Sequence, residues 1–186
     1  MRIIGGEAGG RALKAPKGRK TRPTTDRVRE SLFSILGDVS ELVICDAFAG
    51  SGSLGLEALS RGAAFCWFFE VDRAALGALR DNIEALGWQD RCEVIPRSFV
   101  SGFGSVEGDL DLVFLDPPYE RGLDVEALDI AVESGLRADA LVVIERSARD
   151  PDLRHWGYEH DEDRRYGETI LTFMYRNRHL EAQDGV

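Results

Sequence analysis

Leu42-Val43-Ile44-Cys45-Asp46-Ala47-Phe48-Ala49-Gly50-Ser51-Gly52-Ser53-Leu54-Gly55 is the stretch that decides the fold. A short apolar run ends on a carboxylate, a glycine loop follows, and a largely apolar helical segment continues to about Arg61. A strand, a glycine loop and a helix in this order form the first unit of a doubly wound sheet. The sequence therefore predicts an α/β protein with a mostly parallel, Rossmann-like sheet.

The rest of the chain repeats this alternation of strands and helices. The patterns predict strands at 64–69, 92–95, 112–115 and 140–144, helices at 74–86 and 125–136, and a loop or broken helix at 98–108. Three of these strands lead into an acidic residue, namely Glu70, Asp116 or Glu145. Strand-like runs at 156–160 and 169–175 flank a predicted charged turn at 161–165, which indicates an antiparallel hairpin at the sheet edge.

The amino-terminal segment is predicted to lie outside this pattern. Extended runs at 2–4 and 11–14, joined through paired glycines, indicate a short hairpin. Thr24, Thr25 and Asp26 offer oxygens that can cap a following helix, which Gly37 ends. We divide the chain into a basic arm at 1–23, a catalytic-sized domain at 24–178 and a flexible tail at 179–186.

Charge is distributed unevenly along the chain. The formal net charge is −10, yet residues 1–30 carry nine Lys/Arg against three Asp/Glu. A basic arm on an acidic body is typical of nucleic-acid binding, because phosphate contacts are local and are driven by counterion release. The alternative is a solvated basic tail. The arm residues that we expect to contact nucleic acid are Arg2, Arg11, Lys14, Lys17, Arg19, Lys20 and Arg22.

The corner Asp116-Pro117-Pro118-Tyr119 follows the apolar run 112–115. Proline fixes φ and has no N–H for a strand ladder, so the chain must leave the sheet here. The corner combines an acceptor side chain, a proline carbonyl and an aromatic face at the carboxyl end of a strand, where open α/β sheets bind ligands. This combination suits a flat ring that carries an amino group. The alternative is a proline-rich turn with an exposed Asp116 and a packing Tyr119.

The glycine loop matches the dinucleotide fingerprint Gly50-x-Gly52-x-x-Gly55, and Glu70 stands where that class places its ribose-binding acid. A nicotinamide or flavin enzyme is therefore one possibility. However, the carboxylate of Asp46 would repel a pyrophosphate, whereas it would attract the sulfonium and α-amino groups of S-adenosylmethionine. We predict S-adenosylmethionine, with Asp46 ordering its amino-acid part and Glu70 accepting hydrogen bonds from both ribose hydroxyls. The alternatives are a helix-capping Asp46 and a solvent-facing Glu70.

The composition indicates the cellular compartment in which the protein works. The three cysteines form no CxxC pair and fall in or beside strand-like runs, which indicates buried side chains in a reducing compartment. No metal site is predicted. The sequence shows neither a signal segment nor an apolar run long enough to span a bilayer, so we expect a cytoplasmic protein with no membrane partner.

With both motifs in view, the chain resembles the amino-group class of S-adenosylmethionine-dependent methyltransferases. It is most similar to the RsmD family, which methylates a guanine N2 in small-subunit ribosomal RNA. The stretch Arg22-Pro23-Thr24-Thr25-Asp26-Arg27-Val28-Arg29-Glu30 is the most specific match, because the Asp-Pro-Pro-Tyr corner is shared with DNA adenine and cytosine amino-methyltransferases and with protein glutamine methyltransferases. The other matching stretches are Arg2-Ile3-Ile4-Gly5-Gly6, Asp46-x-Phe48-Ala49-Gly50-Ser51-Gly52, Leu54-Gly55-Leu56-Glu57-Ala58-Leu59-Ser60-Arg61-Gly62-Ala63, Asp116-Pro117-Pro118-Tyr119 and Tyr166-Gly167-Glu168-Thr169.

The resemblance implies a seven-stranded sheet whose last strand is antiparallel. It places Arg22 and Thr24 beside the methionine end of the cofactor and Ser98 and Phe99 beside its adenine, although relatives usually carry Asp or Asn at the position of Ser98. The implied catalytic residues are Asp116, Pro117, Pro118 and Tyr119, and the implied cofactor site comprises Arg22, Thr24, Asp46, Phe48, Ala49, Gly50, Ser51, Gly52, Glu70, Val71, Ser98, Phe99 and Asp116. The implied partner is 16S ribosomal RNA, bound by a monomer within a small-subunit assembly intermediate.

Two other functions stay open from the sequence. One is a DNA adenine or cytosine amino-methyltransferase, although the chain leaves no room for the extra module that base-specific duplex recognition requires. The other is a non-catalytic RNA-binding factor in ribosome assembly that keeps the fold. The carboxylates of Asp46, Glu70 and Asp116 favour an enzyme over such a factor.

Overall fold

The computed structural model describes residues 1–16, 25–117, 123–133, 136–150 and 152–177. In these ranges seven strands form one sheet: β1 (Val43–Asp46), β2 (Phe65–Phe69), β3 (Cys92–Ile95), β4 (Leu110–Leu115), β5 (Leu136–Ser147), β6 (Tyr158–Tyr166) and β7 (Thr169–Arg176). Their order is β3-β2-β1-β4-β5-β7-β6. Strands β1 to β5 pair in parallel, and β7 is antiparallel to both of its neighbours. The predicted Rossmann-like sheet with an antiparallel hairpin at one edge is therefore confirmed.

Helices cover both faces of the sheet. They are α1 (Asp26–Leu36), α2 (Ser53–Ser60), α3 (Arg73–Leu86), α4 (Phe99–Gly102) and α5 (Leu123–Glu133). Apolar residues of α1, α2 and α3 share one buried cluster with Phe114 of β4, and residues of α4 and α5 share a second cluster with Val113 of the same strand. Because successive side chains of a strand point to opposite faces, the nearly continuous apolar runs of the central strands serve both clusters.

The helix ends follow local chemistry. Thr25 accepts a hydrogen bond from the Val28 amide at 3.3 Å and so caps α1, and Gly37 ends that helix with a positive φ of 69°. Asp72 caps α3 in the same way, through the amides of Ala74 and Ala75 at 3.0 and 2.9 Å. The predicted broken helix at 98–108 consists of α4 followed by one turn of 3-10 helix (Phe103–Ser105).

Two predicted boundaries are wrong. The charged stretch 161–165 lies inside β6, and the turn of the hairpin is at Gly167, where φ is 66°. An outermost strand tolerates such charge, because water solvates its outer edge and one of its faces. Leu136 does not belong to the preceding helix: α5 ends at Glu133, and Leu136 begins β5 by pairing with Leu110.

The described part of the basic arm is docked on the domain. Ile3 donates its N–H to the Arg11 carbonyl at 2.9 Å, which confirms the predicted pairing of the two amino-terminal runs. The side chains of Ile3 and Leu13 are buried in the same cluster as α1, α2 and α3. At Gly6, where φ is 76°, an added Cβ would lie 1.8 Å from the Ser60 carbonyl oxygen, so only glycine allows this close approach to α2.

In the part of the chain that the structure describes, no helix combines the length and apolar character needed to cross a bilayer. The same residues contain no group of three or more His, Cys, Asp or Glu side chains that could hold a metal ion.

Candidate active site

The parallel strands carry their polar residues to one edge of the sheet. Asp46 ends β1, Glu70 follows β2, Ser98 lies just beyond β3, and Asp116 follows β4. Since β1 to β4 run in parallel, these four residues share the carboxyl edge at which open α/β sheets bind ligands. The predicted site residues that lie outside the described ranges are Lys17, Arg19, Lys20, Arg22, Thr24, Pro118 and Tyr119.

Asp46 is buried, with 2% of its surface exposed. Its Oδ2 accepts a hydrogen bond from the Gly55 amide at 3.0 Å, so the carboxyl group bridges β1 and the first turn of α2. Burial raises the pKa of Asp46 to about 7, the Gly55 hydrogen bond opposes that shift, and the charge of Glu70 adds to it. A cation bound at this edge would favour the ionised form.

Glu70 ties the glycine loop to the end of β2. Its Oε2 accepts from the Gly50 amide at 2.7 Å, and its Oε1 accepts from the amides of Val71 and Asp72 at 2.7 Å each. A carboxylate has about four acceptor positions, so three are already occupied by the backbone. Binding of two ribose hydroxyls by Glu70 would therefore require one of these amides to move.

The three glycines of the loop have different surroundings. A Cβ at Gly55 would lie 2.3 Å from the Phe68 ring, and one at Gly52 would lie 2.5 Å from the Leu79 side chain, whereas one at Gly50 would meet no atom within 4 Å. Gly52 and Gly55 thus allow α2 to pack closely, and Gly50 faces open space that a ligand can enter. The loop is the part of the edge that is shaped for close approach of a ligand.

The hydrogen bonds of these glycines argue against a dinucleotide. A pyrophosphate group is normally held by free amides at the start of the helix. Here the Gly50 amide donates to Glu70, the Gly52 amide to the Ala49 carbonyl, and the Gly55 amide to Asp46. An added anion would meet two carboxylates instead of free donors. The observed pattern disfavours the nicotinamide and flavin alternatives and suits a cationic ligand.

The residues next to the three glycines are mostly buried, whereas one residue after Glu70 is apolar and exposed. Ala49 and Ser51 are buried, and the Asn82 side-chain amide holds the Ser51 carbonyl at 3.0 Å. Phe48 packs partly buried against the core cluster of α4 and α5. Val71, in contrast, is 64% exposed directly after Glu70. This side chain offers an apolar surface at the mouth of the site.

Ser98 and Phe99 stand at the start of α4. The Ser98 hydroxyl accepts from the Ser101 amide at 3.2 Å and lies 2.8 Å from the Ser101 hydroxyl, so it caps this short helix. The Phe99 ring is buried edge-on against Phe69 and Phe103, with ring centroids 5.3 and 4.8 Å apart. Any ligand contact of Phe99 would therefore come from its backbone.

Asp116 and Pro117 follow β4 directly. Burial raises the pKa of Asp116 well above its usual range, and the charges of Glu145 and then Asp46 add to that shift. The sequence alone did not predict that Glu145 would lie close to Asp116. Its signal was present in the sequence, because the apolar run 140–144 ends on this acid just as the runs before Glu70 and Asp116 do.

The described basic residues of the arm are exposed and already have partners. The ammonium of Lys14 lies 2.9 Å from the Asp81 carboxylate, and the Arg2 guanidinium lies 3.4 Å from that of Asp26. Arg11 donates to a neutral acceptor, the Ala85 carbonyl, at 2.7 Å. Arg11 therefore keeps more of its charge available to an anionic partner than Lys14 does.

An Asp46→Asn substitution should raise stability in a pH-dependent way. The unfolded pKa of aspartate is about 3.9, and the pKa in the folded protein is about 7. The contribution that protonated Asp46 makes to stability is therefore fully present below about pH 4 and is lost as pH rises through about 7. Asparagine keeps an acceptor for Gly55 without a buried charge.

Urea unfolding should find Asp46→Asn more stable than the wild type at pH 8, by on the order of 2–4 kcal/mol, with the difference vanishing near pH 4. The exposed Asp90→Asn serves as the matched control and should show no such dependence. A stability difference for Asp46→Asn that does not change with pH would contradict the assigned burial effect.

Comparisons with known proteins agree with this architecture. Residues 1–175 match the family described as "Conserved hypothetical protein 95". Ribosomal RNA small subunit methyltransferase D of Escherichia coli is 45% identical over 124 residues, which are 66% of this chain and 62% of that protein. The protein of the same name from Haemophilus influenzae is 38% identical over 131 residues, or 68% of each chain.

A solved structure, that of the Escherichia coli protein yhhF, superimposes with a TM-score of 0.84 at 36% identity and covers 96% of this chain and 98% of its own. The curated Escherichia coli relative is thus matched over less than two thirds of its length, while the solved structure is matched over almost all of it. The chain belongs to the conserved hypothetical protein 95 family, the RsmD family of methyltransferases whose motifs its sequence resembles.

Proposed function

We propose that the protein is an S-adenosylmethionine-dependent methyltransferase that modifies the exocyclic N2 of a guanine in 16S ribosomal RNA, of the guanine 966 type. The observation that carries the proposal is the row of carboxyl groups of Asp46, Glu70 and Asp116 beside an open glycine loop, in a chain whose relatives are named small-subunit ribosomal RNA methyltransferases. The enzyme would act as a cytoplasmic monomer on a small-subunit assembly intermediate.

The described residues fit the cofactor. S-adenosylmethionine would supply an activated methyl group on a cationic sulfur, which suits an edge lined by carboxylates. Gly50 offers open space for its amino-acid part, Glu70 can accept from the ribose once an amide moves, and exposed Val71 can flank the adenosine. In this proposal Ser98 and Phe99 flank the adenine, with the Ser98 hydroxyl as a candidate acceptor for its amino group and the Phe99 backbone as its neighbour. Arg22 and Thr24 complete the proposed set.

Asp116 and the Pro117 carbonyl hold the acceptor amine in this proposal. A purine amino group is a weak nucleophile, because its lone pair is delocalised into the ring. Two acceptors for its N–H bonds would turn the nitrogen lone pair toward the methyl group and stabilise the positive charge that develops on nitrogen during transfer. Transfer would form the new N–C bond as the C–S bond of the cofactor breaks, and the amine proton would leave to water. Pro118 would stiffen the corner, and Tyr119 would stack on the base.

Calorimetric titration with S-adenosylmethionine, followed by mass-spectrometric mapping of 16S ribosomal RNA, tests this function. Binding heat together with a methylated guanine that is lost in a strain lacking the gene is the expected result. A missing heat signal would favour the non-catalytic assembly factor. A methylated adenine or cytosine in DNA would favour the alternative of a DNA amino-methyltransferase.

The basic arm is proposed to bind RNA phosphates. Deletion of residues 1–20 would be a poor test, because it also removes Ile3 and Leu13 from the core. Arg11→Gln leaves that packing intact and should lower the slope of log K against log salt by about one, since one phosphate contact is lost. Lys14→Gln is the matched control with a smaller expected change, because Asp81 already neutralises its charge. Equal slopes for Arg11→Gln and the wild type would show that Arg11 contacts no phosphate.

A further inference from the structure

Glu145 lies beside the proposed catalytic corner. Leu115 of β4 pairs in parallel with Ile144 of β5, so the next residues of the two strands, Asp116 and Glu145, stand side by side. Neighbouring strands are about 4.8 Å apart. On its other side Glu145 pairs with Leu171 of β7. Glu145 is therefore fixed by two strands and not by a loop.

The register also determines the face of the sheet on which Glu145 lies. Val143, two residues earlier in β5, belongs to the buried cluster beneath α1, as do Phe114 and Leu171. Because side chains alternate along a strand, Glu145 lies on that same face, and Asp116 continues the same alternation from Phe114. Both carboxyl groups thus lie on the face of the sheet that α1 covers.

The carboxyl-terminal hairpin lies beside Glu145 on this face of the sheet. Tyr166 pairs with Thr169, which in turn pairs with Ser147 of β5, so Tyr166 stands on the same face beyond Glu145. The Tyr166 hydroxyl contacts the Ser31 hydroxyl of α1 through a hydrogen bond. This contact joins the hairpin to α1 on the face of the sheet that carries Asp116 and Glu145.

Two carboxylates side by side complement only one kind of amino-bearing base edge. Guanine presents two adjacent N–H donors on its Watson–Crick edge, at N1 and N2. Adenine and cytosine instead present an amino group next to a bare ring nitrogen, which is an acceptor. A second carboxylate would face a donor in guanine and a lone pair in the other two bases, and unpaired acceptors buried against each other are costly.

We propose that Glu145 is the specificity-determining residue of the site, with its carboxylate accepting the N1–H of the guanine whose N2 amine is held by Asp116. The proposal deepens the guanine-N2 function and rests on it. It gives a reason why this site would select guanine, although Asp-Pro-Pro-Tyr corners also serve enzymes that act on adenine and cytosine. It also assigns a role to an acid that is not among the site residues implied by the family resemblance.

A base analogue separates recognition of N1–H from the chemistry at N2. 2-Aminopurine keeps the amino group at the same carbon but has a bare N1. Steady-state methyl transfer should be measured on 16S ribosomal RNA that carries either guanine or 2-aminopurine at the mapped position. The wild type should favour guanine by at least about 10- to 100-fold in kcat/KM, because the analogue leaves Glu145 facing a lone pair.

The substitution Glu145→Gln should change this preference and not only the rate. The amide can donate to a bare N1, so kcat/KM for guanine should fall about 10- to 100-fold while the value for 2-aminopurine rises or stays constant. Glu145→Ala should lower only the guanine value. Equal losses on both substrates would indicate a purely structural role and overturn the proposal. Absence of wild-type transfer to guanine RNA, by contrast, would overturn the proposed function itself.

Folding and cofactor binding provide the remaining controls. Glu145→Gln should bind S-adenosylmethionine within a few-fold of the wild type by calorimetry, since Glu145 contacts the base and not the cofactor in this proposal. The neighbouring exposed acid Glu168 offers a matched control, because Glu168→Gln changes one charge at the same hairpin with Arg149 as its partner. If Glu168→Gln changed the ratio of kcat/KM for guanine and 2-aminopurine by the same factor, the effect would come from the net charge of the hairpin, and the role of Glu145 would be overturned.

Discussion

Replacing Asp116 by asparagine is expected to lower kcat for methyl transfer by about 100- to 1,000-fold, the usual loss when one preorganised electrostatic group is removed. Asparagine is nearly isosteric, so the corner should keep its shape. Its amide presents one oxygen where the carboxylate presented two, and it turns N–H donors toward an amine that needs acceptors. The lone pair of the amine would then be less well aligned, and the charge developing on nitrogen would lack its partner.

The measurement is single-turnover methyl transfer with saturating S-adenosylmethionine, next to calorimetric binding of the cofactor. Affinity for the cofactor should stay within a few-fold, because the proposed role of Asp116 is to hold the acceptor amine. Asp109→Asn is the control, because Asp109 is an exposed acid at the opposite, amino-terminal end of β4. Near-normal turnover in Asp116→Asn would remove Asp116 from the reaction and leave the proline corner with a purely structural role.

The alternating strands and helices of the sheet could be predicted because their signals are local. The run Leu42-Val43-Ile44-Cys45-Asp46 and the glycines after it specify a strand, a loop and a helix without help from the rest of the chain. The stretch 161–165 could not be predicted in the same way. Its charges look like a turn in the sequence, and only pairing with β7, together with the contacts of Asp163 to Thr172 and Arg146 at 2.7 and 2.8 Å, makes it a strand.

The sequence was enough to predict which residues form the candidate site. It was not enough to predict the hydrogen bonds that they make. Acids after apolar runs identified Asp46, Glu70 and Asp116. Their present partners come from other segments: the Gly55 amide reaches Asp46 across nine residues, and the Gly50 amide reaches Glu70 across twenty. How much acceptor capacity remains for a ligand therefore depends on tertiary contacts, which residue spacing does not contain.

The role of Glu57 in joining the arm to the domain could not be predicted from the sequence for the same reason. Replacing this residue is the second substitution for which we expect a large effect. This acid of α2 is fully buried, and its two oxygens accept from the Ile4 and Gly5 amides at 2.7 and 2.8 Å. The Arg29 guanidinium, also fully buried, lies 3.6 Å away, and its Nε and Nη1 have no hydrogen-bond partner among the described residues. Glu57 thus joins the arm, α1 and α2.

Glu57→Ala is expected to lower the free energy of unfolding by about 3–5 kcal/mol, because it removes the buried counter-ion of Arg29 and leaves only the half-exposed Asp26, 3.0 Å away, to pair with it. That is a large share of the roughly 5–15 kcal/mol typical of a folded domain, so the melting temperature should fall by roughly 6–20 °C. Urea denaturation of the full chain measures the change. Glu7→Ala is the matched control: Glu7 also joins the arm to the body, through Arg91 at 2.6 Å, but it is exposed.

The exposed pair should contribute at most about 1 kcal/mol, since water already solvates both partners. A double variant, Arg29→Met with Glu57→Leu, separates charge from arm docking. If the unpaired charge dominates, the double variant should recover most of the lost stability, because a buried ion pair can often be replaced by apolar side chains. The part not recovered then measures the groups left without these partners, which are the Ile4 and Gly5 amides, the Arg61 guanidinium and the Arg2 carbonyl. Equal losses in Glu57→Ala and Glu7→Ala would show that the buried acid has no special role in holding the arm.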